Sequence, residues 1–226
     1  TPLAERVAAV SEGTKKAVEQ GAIVALTSHM PNFEIIAKRV ENQKPGDHTS
    51  DTVGILEDGS YNFSGYSSPV LTGDIVTRIM PGQDLNKYYT AYLDMIAAYA
   101  KALEKDNISV LFRPFHENTG SWFWWGKAFC DAEAYKNLYR YTVEYLRDEK
   151  DVHNFIYVYG PGSEANSVED YEERYPGDEY VDMVGFDMYH SQPAEGDLFI
   201  KNLKDQINIV GTFAKQHNKL FAVTET

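Results

Sequence analysis

Two carboxylic acids, Glu117 and Glu225, stand 108 residues apart, and each closes an apolar run: Val110 to Phe112 leads to Arg113, His116 and Glu117, and Leu220 to Val223 leads to Thr224 and Glu225. Acids at the tips of two parallel strands can flank one substrate bond, one as proton donor and the other as nucleophile or base. Directly after Glu117 come Trp122, Trp124 and Trp125, the chain's three tryptophans, around Phe123. Sugar rings stack flat C–H faces on aromatic planes while their hydroxyls need carboxylates and amides, so such a cluster beside an acid suggests a carbohydrate site. Core packing is the commoner role for aromatic clusters, and the cluster alone does not separate the two.

Composition restricts the partners. The 226 residues are 43% hydrophobic and 24% charged, enough apolar content for a sizeable core and too much for disorder. A formal charge of −13 argues against nucleic acid, which needs clustered Lys and Arg. No run of eighteen apolar residues exists, so no membrane span is expected. The single cysteine, Cys130, excludes an intrachain disulfide and a cysteine metal site, and it should pack as a small hydrophobe.

Alternating helices and strands must position the acids. Leu3, Val7, Val10, Thr14 and Val18 recur at helical spacing, Gly21 stops that helix, and Ala22 to Leu26 should be a buried strand ending at Ser28 and His29. About fifty residues follow that are rich in Gly, Ser, Asp and Asn without a sustained period, and they predict a long loop. Asp84 is expected to cap a helix through Tyr89, Leu93, Ile96 and Leu103, and Asp131 a second one through Tyr135, Leu138, Tyr139, Thr142 and Leu146. Ser109 to Arg113, Phe155 to Tyr159, Val181 to Met188 and Leu220 to Thr224 complete five strands, with a helix through Phe199, Leu203, Ile207, Val210 and Phe213 before the last.

Continuous apolar strands alternating with helices mean a parallel sheet covered by helices. Polar residues gather at the C-terminal strand ends, where ligands bind in both doubly wound sheets and (β/α)8 barrels. Neither GxGxxG nor GxxxxGK[ST] is present, which favours the barrel over a nucleotide fold. Strand alternation places Arg113 with Glu117, Asp187 with Gly185 and Tyr189, and Glu225 with Phe221 and Val223. An inward Arg113 needs an anionic partner, and Glu225 can supply it; an ordinary buried salt bridge explains Arg113 equally well.

The segment RPFHENTGSWFWWG at 113–126, with TET at 224–226, closely resembles the β-mannanases of glycoside hydrolase family 26, and nearly the whole chain shares the likeness. The resemblance implies a (β/α)8 barrel in which GAIVALTSHMPN is the third strand, FIYVYGPG the fifth, VDMVGFDMYH the sixth and FAVTET the seventh. It implies Glu117 as acid/base on the fourth strand and Glu225 as nucleophile on the seventh. It also implies His29, His116, Trp122, Asp187 and Tyr189 around the sugar, with Tyr189 donating to the nucleophile. Internal β-1,4-mannosidic bonds of mannan, galactomannan or glucomannan would be cleaved with retention, with the two carboxyls about 5 to 5.5 Å apart and no cofactor or metal. The chain would act outside the cell or at its surface, as a monomer when complete.

On this reading residues 1–226 form one partial catalytic barrel domain, strands three to seven, with strands one, two and eight outside it. Such a piece alone is expected to expose sheet edges, aggregate and lack activity. Three other functions fit less well. A family-26 enzyme for mixed-linkage β-glucan or β-1,3-xylan, or a carbohydrate-binding barrel without activity, would share many of these residues. A metal hydrolase built on His29, His116, Asp187 and His190 lacks support, because HENTG is not HExxH.

Overall fold

A computed structural model describes residues 2–48, 52–191, 193–194 and 196–226. Its elements run α1 (Leu3–Glu19), β1 (Val24–Ser28), α2 (Phe33–Glu41), α3 (Ile75–Arg78), α4 (Asn86–Glu104), β2 (Val110–Pro114), α5 (Ala132–Glu144), β3 (Phe155–Tyr159), α6 (Val168–Glu172), β4 (Met183–Asp187), α7 (Phe199–Gln216) and β5 (Leu220–Glu225). A π-helical turn, Tyr145–Glu149, extends α5.

All five strands are parallel and neighbour one another in chain order, β1-β2-β3-β4-β5. A doubly wound sheet reverses its order at a switch point; an unbroken order is the winding of a barrel, here an open half-barrel. One face of the sheet is aromatic and meets the helices. Phe112 stacks on Phe155 with ring centroids 4.7 Å apart, and Tyr159 lies against Tyr171 of α6 and near Tyr135 of α5. The polar strand ends gather on the C-terminal edge.

Local chemistry explains where the boundaries differ from expectation. At the end of α1 the Gly21 amide donates to Val18 and the Ala22 amide to Ala17, a Schellman closure made possible by Gly21 at φ 91°. Ala22 is spent in that cap, so β1 starts at Val24. As an edge strand β1 is mostly half-exposed, with Ser28 its one buried residue, rather than the buried strand expected. The long loop contains α2. Asn32 caps it by accepting from Glu34 and Ile35, and Phe33, Ile36 and Ala37 are its buried face. Part of that stretch, residues 49–51, lies outside the described residues.

Asp131 caps α5 as expected, accepting from the Ala134 amide at 2.8 Å. Asp84 does not cap α4. Its two oxygens are held by Arg78 Nε and Nη2, at 3.1 and 2.6 Å, and the helix starts after Leu85. Ile207 faces solvent, and the buried positions of α7 are Gln206, Val210, Phe213 and Ala214. Asp182 precedes β4, where its carboxylate takes the Tyr157 amide of β3 at 2.8 Å. Cys130 is buried and its thiol is pushed up to about 11 by burial, as a packed hydrophobe.

Candidate active site

Glu117 does not reach the site by strand alternation. β2 ends at Pro114, and then Phe115 and Glu117 adopt left-handed backbone, φ 52° and 51°. Each such non-glycine residue costs on the order of 1–2 kcal/mol, so surrounding bonds must hold it. Tyr135 donates to the Phe115 carbonyl at 3.1 Å, Trp125 Nε1 to that of His116 at 2.8 Å, and the Glu117 amide reaches Gly160 at 2.8 Å. Asn118 is buried and accepts from Arg174 Nε at 3.0 Å. The buried Arg174 guanidinium also donates to the carbonyls of Cys130 and Trp125 and lies over the Tyr135 ring. No sequence pattern marked Arg174; its partners are carbonyls brought together by the fold.

The tryptophans divide. Trp124 and Trp125 are core residues, 1% and 0% exposed, packed edge to face. Trp122 is 45% exposed and donates Nε1 to Glu117 Oε2 at 2.6 Å. The aromatic signal was therefore two parts packing and one part site. Burial raises the pKa of the Glu117 carboxyl; the Trp122 indole opposes this, and the nearby charge of Glu225 adds to it.

Opposite Glu117, Arg113 forks between two acids. It is 5% exposed and donates Nη1 to Asp187 Oδ2 and Nη2 to Glu225 Oε2. The expected Glu225 partner is present, and Asp187 is a second one. The Asp187 carboxyl is pushed up to about 6 by burial, against the pull of Arg113 and of Thr224 Oγ1, which donates to Oδ1 at 2.7 Å. The half-exposed Tyr189 hydroxyl donates to the other Glu225 oxygen, Oε1.

A β-bulge aims Glu225. In the β4–β5 register Phe186 pairs with Val223, whereas Asp187 pairs with Glu225, skipping Thr224. Phe221 stacks on Phe186 and approaches Gly211 of α7, so it faces the helices. Plain alternation would send Glu225 the same way, and the expected grouping of Phe221, Val223 and Glu225 on one side is wrong. The extra residue turns Glu225 inward, a common use of bulges beside sites. Thr224 faces inward too: a Cβ on Gly185 would lie 2.5 Å from its methyl.

His116 is 1% exposed, and burial drops its pKa to about 3, so the imidazole is neutral throughout the ordinary pH range. Its ring meets His29 edge-on at 4.6 Å and Phe123 at 5.1 Å. His29 is exposed and also touches Tyr66, a 68% exposed residue from the long loop that sequence reasoning passed over. His190 is turned to Asp197, 2.6 Å away. Among the described residues no three His, Cys, Asp or Glu side chains are grouped to hold a metal ion. Arg113, Asp187, Tyr189 and Glu225 thus form one hydrogen-bonded group, Glu117 and Trp122 form a second whose carboxyl feels the charges of Arg113 and Glu225, and His29 and His116 pair beside Phe123. An acid whose protonated form is favoured by burial, near an acid that accepts from two donors, can serve acid-assisted nucleophilic substitution.

The sequence model for glycosyl hydrolase family 26 matches residues 7–216. A mannan endo-1,4-beta-mannosidase of Bifidobacterium adolescentis is 41% identical over 160 residues, which are 68% of this chain and 16% of that protein. One from Bacillus subtilis strain 168 is 33% identical over 169 residues, 72% of this chain and 42% of the relative. Among solved structures, the catalytic domain of the family-26 endo-beta-1,4-mannanase of Bacillus sp. JAMB-750 superposes with a TM-score of 0.80 at 33% identity, covering 99% of this chain and 51% of that one. The chain therefore spans about half that domain and less than half of these curated relatives. On the match across residues 7–216, the chain belongs to glycosyl hydrolase family 26.

Proposed function

We propose that this chain carries the two acids of a retaining endo-β-1,4-mannanase and that residues 1–226 are one partial catalytic domain, the third to seventh strands of a (β/α)8 barrel. The observation that carries the reading is the asymmetry of the two carboxyls. Glu117 has its proton favoured by burial, whereas Glu225 accepts from a guanidinium and a phenol. A carboxylate has about four acceptor sites, so with two occupied Glu225 keeps lone pairs for attack.

Glu225 attacks the anomeric carbon while Glu117 gives its proton to the departing glycosidic oxygen; the carbon–oxygen bond breaks and an ester to Glu225 forms. Glu117, now ionised, takes a proton from water, the hydroxide oxygen bonds to the anomeric carbon, and the ester breaks with overall retention. Arg113 and Tyr189 hold the nucleophile, and Asp187 fixes Arg113. His116, neutral and beside His29, contacts the sugar hydroxyls, and the exposed Trp122 face lines the same subsite. The reaction needs no cofactor, and a polymeric substrate places the enzyme outside the cell or at its surface.

Reducing-sugar release from mannan, galactomannan, lichenan and xylan by a protein that carries residues 1–226 within a complete barrel tests the proposal. Release from the two mannans, with none from lichenan or xylan, is expected. Release from lichenan or xylan alone would overturn the substrate assignment.

A further inference from the structure

Trp122 is an exposed side chain with a fixed task, since its Nε1 donates to Glu117, and burial does not hold it there. Gly120 lies under the indole. A Cβ at Gly120 would stand 2.3 Å from Cη2, 2.4 Å from Cζ2 and 2.6 Å from Cε2 of Trp122, and these are its three nearest neighbours. Carbon atoms in van der Waals contact sit about 3.5–4.0 Å apart, so ring and methyl cannot coexist in this arrangement.

Backbone geometry does not require glycine at this position, for Gly120 is absent from the residues with positive φ. The backbone is also fixed. The Gly120 amide donates to the Glu117 carbonyl and its own carbonyl accepts from Lys127, both at 3.0 Å. Between a pinned backbone and an exposed ring, the ring is what an added methyl would displace.

We propose that Gly120 is a positioning residue for the acid: its bare Cα is the seat on which the Trp122 indole lies to donate to Glu117. The proposal rests on the role given to Glu117 above. Five influences act on that carboxyl. Burial and the charges of Glu225 on β5 and Glu164 after β3 favour the protonated form; Trp122 and Arg113 on β2 favour the ionised form. Lifting the indole removes one of the two groups that favour ionisation, so the acid keeps its proton to higher pH.

The test compares kcat/KM against pH on mannan for the complete barrel protein that carries residues 1–226 and for its Gly120→Ala, Trp122→Leu and double variants. Acid assistance fails as pH rises through the Glu117 pKa, so that limb should move up by about one pH unit in each single variant, given the strength of a hydrogen bond to a charged acceptor. With the indole gone the methyl has room, and Gly120→Ala in the Trp122→Leu background should move the limb no further. A second readout needs no turnover. The Trp122 indole N–H resonance should titrate with Glu117 in the unsubstituted protein and stop doing so in Gly120→Ala.

An unmoved limb and an unchanged indole titration in Gly120→Ala would overturn the proposal, as would an equal shift from Gly120→Ala with and without the indole. If Gly120→Ala fails to fold, the double variant must fold; failure of both would assign glycine a backbone role instead. Absence of mannan cleavage by the unsubstituted complete protein would count against the proposed function, while the indole titration would still decide the seat.

Discussion

Arg113→Met keeps an unbranched apolar stem of similar reach to Nε and removes the guanidinium charge that two acids share. In the native protein that guanidinium is 5% exposed and Asp187 is 3% exposed, so the variant leaves a buried carboxylate without its cation. Breaking a buried pair from one side costs roughly 3–5 kcal/mol. At about 2–4 °C per kcal/mol for a chain of this size, the midpoint of thermal unfolding should fall by roughly 6–20 °C. Asp187 can relieve part of the loss by taking a proton. Its pKa is already about 6 with Arg113 present and must rise further without it. A carboxyl with a folded pKa raised above its unfolded value binds more protons in the folded state, so stability falls as pH rises through that window. The variant should therefore be less damaged at pH 5 than at pH 8, and Asp187→Asn added to Arg113→Met should restore part of the stability at pH 8. Calorimetry or urea unfolding of the native protein, Arg113→Met, Asp187→Asn and the double variant at both pH values measures this. A loss below about 1 kcal/mol, or one independent of pH, would refute the account of Arg113 as the cation required by Asp187.

Other outcomes follow from the same geometry. Glu225→Ala should abolish turnover on all substrates, whereas Glu117→Ala should spare aryl glycosides with good leaving groups and be rescued by azide to give a β-glycosyl azide; identical behaviour of the two variants would undo the role assignment. His116, held near 3 by burial, stays neutral in the folded protein while the unfolded chain takes a proton below about 6.5, so this residue costs roughly 2 kcal/mol of stability by pH 5, and a stability slope unchanged by His116→Gln would contradict it. Trp124→Ala or Trp125→Ala should lose about 3–5 kcal/mol, as large core truncations do, whereas Trp122→Ala should change stability by less than about 0.5 kcal/mol and lower activity; equal losses in all three would show that the site and core tryptophans are misassigned.

Much of this was readable in the sequence. Apolar runs ending in polar residues located the strands and the edge on which their polar residues gather, and both acids stand just past or at strand ends there. What alternation could not reveal was backbone irregularity. Glu117 arrives through two left-handed residues and Glu225 through a bulge, features set by bonds to Gly160, Tyr135 and the register of β4 rather than by local pattern. Thr224, the residue skipped in that bulge, is what donates to Asp187 beside Arg113. Helix α2 was legible but missed: Phe33, Ile36, Ala37 and Val40 have helical spacing after Asn32, hidden by the polar composition downstream. The tryptophans misled because an apolar ring has the same composition value in a core and in a cleft.

The central claim, that Glu117 and Glu225 cleave β-1,4-mannosidic bonds by double displacement, is tested most directly by proton NMR of the first product released from a manno-oligosaccharide. The account predicts that the new reducing end appears as the β-anomer before mutarotation. First appearance of the α-anomer would mean inversion, and would contradict a covalent ester on Glu225.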